Sequence, residues 1–283
     1  MSTSRPLVQS ILGIIVLLLG LWMATFGVRP WIDYDFLVIW VGFLLITDSL
    51  AFLLSGASLF TDMRAFFQLA IMSSFFWWLW EGFNIQLTNW AYLNEPLYTH
   101  MEWGFFSTLA FATVIPHLMI STNIVQGLLP KQWRGFRTGS FSPNVAYTIV
   151  ACGILLAGLV LLFPIQLFPF VWLTIFLILD PLNAKAGRAS LLVQWKMRNY
   201  RPFILLAVAS LLAGLGWETL NYFVPKWVYP VVPWFWTLPA PITTLYAEMP
   251  LAGFIGYIPF IFSAFAFVVF FDIPTKWLSR HDG

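Results

Sequence analysis

Residues 64–92 read RAFFQLAIMSSFFWWLWEGFNIQLTNWAY, and residues 201–229 read RPFILLAVASLLAGLGWETLNYFVPKWVY. Laid over one another without a gap, they match at Arg64/Arg201, Phe66/Phe203, Leu69/Leu206, Ala70/Ala207, Ser73/Ser210, Trp80/Trp217, Glu81/Glu218, Asn84/Asn221, Trp90/Trp227 and Tyr92/Tyr229. Ten identities in 29 positions include Arg, Glu, Asn and Trp, so shared apolar composition does not explain them. A second block matches at a shift of 132: Trp40/Trp172, Leu45/Leu177, Ile46/Ile178, Asp48/Asp180 and Leu50/Leu182. The shift changes between the blocks inside a loop, where insertions are tolerated. The chain therefore reads as one unit used twice.

Composition fixes the class. The 283 residues are 60% hydrophobic, 19% aromatic and 9% charged, with a mean hydropathy of +0.83. A soluble globular domain carries about 25% charged residues. The net charge of +2 is too small, and its Lys and Arg too scattered, for a nucleic-acid partner. One cysteine, Cys152, excludes an internal disulfide and a paired-cysteine metal site. No GxGxxG, P-loop, HExxH or GxSxG pattern is present, so no metal or cofactor is assigned. The first apolar run, Ile11 to Gly27, lacks an A-x-A cleavage site and has a later counterpart, so it reads as a spanning helix.

A spanning helix needs about 20 apolar residues. Eight such stretches are expected, at roughly 9–28, 36–54, 64–87, 103–127, 144–163, 168–182, 201–223 and 249–272. The expected fold is an all-α integral membrane protein of about eight transmembrane helices. They form two parallel four-helix repeats, 1–127 and 144–283, joined by a cytoplasmic linker at 128–143. With the N-terminus inside, twelve basic residues fall on inner segments and only Arg29 and Lys226 on outer ones. That bias places both termini in the cytoplasm of a plasma (inner) membrane protein. An even number of helices per unit relates the halves by a pseudo-twofold along the membrane normal.

The acids follow from this frame. Glu81 and Glu218 lie seventeen residues beyond Arg64 and Arg201. At 1.5 Å per residue that is about 25 Å into a core of about 30 Å, just inside the outer boundary. Asn84 and Asn221 share a helix face with them. The outer loops 88–102 and 224–248 bring Glu102 and Glu248 to the start of the fourth and eighth helices, where a carboxylate either compensates the dipole or serves a site. Trp80, Trp90, Tyr92, Trp217, Trp227 and Tyr229 crowd the same level, as an interfacial belt or as walls of a site. Asp48 and Asp180 precede Gly56 and Gly187 and are expected to organise turns. His117 after Pro116 reads either as a pigment or haem ligand or as a polar core residue; Phe260 takes its place in the second unit. An acid within the hydrocarbon boundary is costly and marks function by default, the structural alternative being a hydrogen bond between helices.

The segment 217–260, with W-E-x-x-N-Y, K-W-x-Y-x-x-P and E-M-P-L-x-G-F-x-G-Y-x-P-F, resembles a group of bacterial polytopic membrane proteins without an assigned activity. More distantly the arrangement resembles membrane lycopene-cyclase domains. Their Trp-acid pair, aromatic W-x-F and helix-opening glutamates match Trp80-Glu81, Trp90/Tyr92 and Glu102, and again Trp217-Glu218, Trp227/Tyr229 and Glu248. The chain departs from that family in using Glu for Asp, one helix-opening Glu for two, and four helices per unit for three. The resemblance implies acid-initiated chemistry on an isoprenoid, with Glu81, Glu218, Glu102 and Glu248 as catalytic acids. Asn84, Asn221 and the aromatic residues would then hold an apolar or lipid ligand. Beside this cyclase or hydratase stand a non-catalytic membrane subunit or lipid-binding scaffold and a proton-coupled transporter. The transporter is disfavoured in sequence because no helix reads as broken at mid-membrane in both halves.

Overall fold

The computed structural model describes residues 4–130, 137, 139–230 and 244–273. Residues 131–136 and 138 of the linker, Trp234, Trp236 and the C-terminal tail lie outside the described residues. The chain is a helical, multi-pass type of molecule. Its helices are α1 (Ser4–Phe26), α2 (Asp35–Ser55), α3 (Met63–Leu87), α4 (His100–Phe111), α5 (Val114–Leu128), α6 (Pro143–Leu162), α7 (Pro164–Leu167), α8 (Val171–Lys185), α9 (Leu191–Lys196), α10 (Arg201–Phe223) and α11 (Tyr257–Phe270). Among the described residues strands are confined to four two-residue pieces: β1 (Ala91–Tyr92), β2 (Trp227–Val228), β3 (Leu245–Tyr246) and β4 (Met249–Pro250).

Among the described residues seven helical stretches are long and apolar enough to cross a membrane: Arg5–Phe26, Trp31–Ser55, His100–Leu128, Pro143–Leu162, Pro164–Lys185, Arg201–Phe223 and Leu251–Phe270. The expected third span is absent from that set. Its helix, α3, has 25 residues, but Arg64, Gln68, Ser73, Ser74, Glu81, Asn84 and Gln86 dilute its apolar content.

Packing follows from small residues and from polar groups that close loops. Helix α1 lies along α2, and Gly42 makes that approach possible: a Cβ there would sit 2.4 Å from the Leu17 nitrogen. With little water to expel, close backbone contact through small residues is a main source of helix association in a bilayer. The apolar outer face of α1, including Leu7, Ile11, Ile15, Leu18 and Trp22, is exposed, as a lipid-facing surface would be. Helix α2 packs also on α5, and α8 packs on both α6 and α11.

Asp48 and Asp180 are fully buried and do organise turns. Asp48 accepts from Ser58 Oγ at 2.6 Å and the Leu59 backbone N–H at 2.7 Å. Asp180 accepts from Ser190 Oγ at 2.6 Å and the Leu191 N–H at 2.8 Å. The partners stand at the same offsets, ten and eleven residues on. Gly56 and Gly187 supply the left-handed residues these turns need, with φ of 75° and 72°.

Two stretches expected as continuous helices, 103–127 and 249–272, are interrupted. Helix α4 ends at Phe111 and α5 starts at Val114. Leu251–Gly256 is a tighter 3-10 turn before α11 begins at Tyr257. Each break precedes an Ile-Pro pair, Ile115-Pro116 and Ile258-Pro259. Proline has no N–H to reach back four residues, and its ring crowds the carbonyl there, so the helix above cannot run on unbroken. Ser73 on α3 fills the first break: its hydroxyl donates to the Phe111 carbonyl at 2.6 Å and accepts from the Ile115 N–H at 2.9 Å.

Candidate functional site

The loops after α3 and α10 are built alike. Asn84 donates its amide to the Trp90 carbonyl at 2.9 Å and accepts from the Asn89 N–H at 2.9 Å. Asn221 donates to the Trp227 carbonyl at 2.9 Å and accepts from the Lys226 N–H at 2.8 Å. Each asparagine thus turns its loop back over the helix end. The two loops then meet as antiparallel strands, with Ala91 opposite Val228 and Tyr92 opposite Trp227. Both asparagine side chains are spent on backbone and neither lines the cavity below, so the ligand contact expected of them is replaced by loop closure.

Beneath this two-strand bridge lies a cavity of about 530 Å³ with a mainly apolar wall. That is within the range of about 300–1,000 Å³ typical of small-molecule sites. Trp40, Trp77, Trp90, Tyr92, Trp103 and Phe111 line it from the first half of the chain, and Trp172, Trp217, Trp227, Tyr229, Tyr257 and Phe260 from the second. The helix breaks reach its wall through Thr113, Gly256 and Pro259.

Glu81 and Glu218 stand behind this wall. Glu81 Oε1 accepts from Tyr92 Oη at 2.5 Å, Trp77 Nε1 at 2.8 Å and Trp90 Nε1 at 2.9 Å. Glu218 Oε1 accepts from Tyr257 Oη at 2.6 Å and Tyr229 Oη at 2.9 Å. Glu218 has no exposed surface, and its Oε2 has no hydrogen-bond partner. Burial, and then the adjacent carboxyl group, push the Tyr92 and Tyr229 phenols well above their usual range, so both stay protonated donors.

Trp77 and Tyr257 occupy equivalent roles from different elements. Gly214 stands where the matched segment has Trp77, and a Cβ on Gly214 would fall 2.4 Å from the Tyr257 ring. The glycine vacates the space, and Tyr257 enters from α11 to supply the donor that Trp77 supplies from α3 itself.

The remaining expected residues separate. Trp217, Trp90, Trp227, Tyr92 and Tyr229 line the cavity, while Trp80 is fully buried behind it against Trp172, with centroids 5.0 Å apart. Glu102 closes a capping box with Thr99: its carboxylate accepts from the Thr99 N–H and hydroxyl at 2.8 Å, and the Glu102 N–H returns to Thr99 Oγ1. It is not among the residues lining the cavity, and its carboxylate caps the start of α4. Glu248 does not open a helix. It sits in the tight turn between β3 and β4, where Leu245 pairs with Pro250 and Tyr246 with Met249. His117 is buried against Trp40, Phe43 and Trp217, and no cluster of three or more metal-ligating side chains exists among the described residues.

Sequence reasoning missed one polar corner of the cavity. Lys226 Nζ lies 2.6 Å from Asp35 Oδ2 in a nearly buried ion pair, and Arg29 pairs with Asp33 at 3.3 Å. Asp33, Asp35 and Lys226 all line the cavity. The signal was available: the two basic residues expected on the outer side, Arg29 and Lys226, need acidic partners, and Asp33 and Asp35 stand just before and at the start of α2.

Comparison with family models, curated proteins and solved structures finds no match. The site therefore has to be read from its own chemistry.

Proposed function

We propose that the protein is a membrane-integral protein acting on an apolar isoprenoid or lipid-like molecule held in this cavity. In this reading the two halves are four-helix repeats, eight spans in all, with α3 as the span of lowest hydropathy. Three matched pairs, Trp40/Trp172, Trp90/Trp227 and Tyr92/Tyr229, line the one cavity. The Ala91–Val228 pairing sets a matched pair face to face, as a twofold axis between the strands requires. Basic-residue bias then puts the cavity on the outer side of the plasma membrane, with both termini inside.

The observation that carries the proposal is the pair of Glu–Tyr contacts flanking one aromatic-walled space. Tyr92 and Tyr229 are the groups a ligand meets; Glu81 and Glu218 exchange protons through them. In the cyclase or hydratase form, one glutamic acid is the proton source: its proton passes to a C=C bond through the tyrosine hydroxyl in a single relay, so the tyrosine gains one proton as it gives one and no phenolate forms. The resulting cation is held by ring faces, each worth about 0.5–2 kcal/mol. Ring closure or water addition follows, and the second Tyr–Glu pair takes up the proton that leaves. One pair loses a proton and the other gains one, so the protein's net protonation is unchanged.

The test is turnover of linear isoprenoids (geranylgeraniol, squalene, lycopene) by the purified protein, followed by mass spectrometry. Product formation that disappears in Glu81→Gln or Glu218→Gln supports the reading, because an amide keeps the shape but supplies no acid proton at neutral pH. Binding without turnover, equal in both variants, would leave the lipid-binding scaffold. The paired helix breaks favour a second reading, a proton-coupled transporter, since interrupted helices beside a central site are the usual transporter construction. Proton-coupled uptake into vesicles, lost in the same variants, would select it.

A further inference from the structure

The charges around the cavity do not balance. On its polar side Asp35 pairs with Lys226 and Asp33 with Arg29, so two acids meet two bases. Behind the aromatic wall stand two more carboxyl groups, Glu81 and Glu218. Among the described residues neither forms an ion pair, and their contacts are all with Tyr and Trp donors. With one of the two ionised, as the donor-and-acceptor pair of the proposed function requires, the space carries a surplus negative charge, and Lys226 and Arg29 are already engaged.

The walls carry the same sign. Indole and phenol rings present a negative face to whatever they enclose, and a cation within about 6 Å of a ring centroid is attracted to it. Trp77, Trp90, Trp172 and Trp227 surround the space together with the two tyrosines whose hydroxyls point back to the carboxyl groups. A hydroxyl donating backwards leaves the ring, not a competing O–H dipole, towards the occupant. Compact ions such as sodium or potassium want oxygen ligands in place of their water shell, and this wall is mainly apolar.

We infer that the cavity selects a hydrophobic organic cation, a quaternary ammonium or an equally diffuse positive charge, over a neutral or anionic molecule of the same shape. The inference rests on the proposed function, in which a neutral isoprenoid becomes such a diffuse cation once it is protonated, and adds the sign of the charge that the site favours. An anionic head group, such as a phosphate, would meet ring faces, one unpaired carboxylate and two cations that are already paired.

Three probes of matched shape separate the possibilities: tetraphenylphosphonium (cation), tetraphenylsilane (neutral) and tetraphenylborate (anion). Each is titrated into the detergent-solubilised full chain against empty-micelle blanks, with quenching of tryptophan fluorescence as the readout. The cation should bind at least about tenfold more tightly than either other probe, the scale of one or two desolvated ring contacts. That preference should fall severalfold in the Glu81→Gln/Glu218→Gln double variant, which keeps the ring faces but no carboxylate, while tetraphenylsilane binds as before, which also reports that the variant is folded. Equal or tighter binding of the neutral probe to the unaltered protein overturns the cation inference and leaves the cavity as a ligand site. A cation preference undiminished in the double variant overturns it too, since the carboxyl groups would then contribute nothing to it. Absence of saturable quenching by all three probes would sink the ligand-site reading itself. The comparison on the unaltered protein decides the matter even if the double variant does not fold.

Discussion

Glu218 has one carboxyl oxygen held by two tyrosine hydroxyls and the other buried without a partner. Replacing it with Gln keeps the volume and an acceptor for the phenols, so the fold should survive with a small change in melting temperature. Glu218→Leu removes the acceptor that the Tyr229 and Tyr257 hydroxyls share and should cost about 1–3 kcal/mol, measured by thermal unfolding in detergent. A Gln variant as damaged as the Leu variant would mean that the negative charge, not the hydrogen bonds, holds the site together. Asn221→Ala tests a different link, from side chain to loop. It removes the bonds to the Trp227 carbonyl and the Lys226 N–H, and should destabilise by about 1–3 kcal/mol and loosen ligand binding only through the loop. These residues show what a sequence can and cannot tell. The recurrence of Glu81/Glu218 and Asn84/Asn221 marked both pairs as important, but only the loop geometry separates an acid behind a cavity wall from an amide that closes a turn. Tyr257 was illegible because its role belongs to Trp77 in the other half, and the exchange leaves no identity to align.

Between elements, the α1–α2 contact depends on Gly42, where an added Cβ meets backbone atoms of Leu17 at 2.4 and 2.7 Å. Gly42→Leu should destabilise the protein by about 1–3 kcal/mol or more. Gly82 gives the control, since an added Cβ there meets nothing within 4 Å. Gly82→Ala should be neutral or stabilise by up to about 1 kcal/mol through helix propensity. If both substitutions behave alike in thermal unfolding, close backbone approach is not what joins α1 to α2. The helices themselves were legible from hydropathy, which is a property of length and composition. The interruptions at 112–113 and before Tyr257 were not, because the apolar content runs through them; the Ile-Pro pairs were the only local mark. Glu248 was misplaced for a related reason: Pro250 ends one extended piece where the sequence suggested a helix start, and the β3–β4 turn took the acid.

Over the whole molecule, the proposal requires the bridge of β1 and β2 to face outside and the turns held by Asp48 and Asp180 to face the cytoplasm. With Cys152 replaced by Ser, a membrane-impermeant thiol reagent should label Glu95→Cys in intact cells and label Arg188→Cys only after lysis. The reverse pattern would invert the orientation and move the cavity to the inner leaflet. The cavity itself is what the two halves make together, so its occupancy is the most direct measure of what the fold is for. A photoreactive isoprenoid analogue, cross-linked to the protein in membranes and located by peptide mass spectrometry, should attach within 90–92 and 227–229 and on the walls at Trp77, Trp172 and Tyr257. A bulky residue at Gly253, which lines the same space, should suppress that labelling. Labelling confined to the exposed face of α1, unchanged by the blocking substitution, would show a molecule that only sits in lipid, and would contradict a ligand site between the halves.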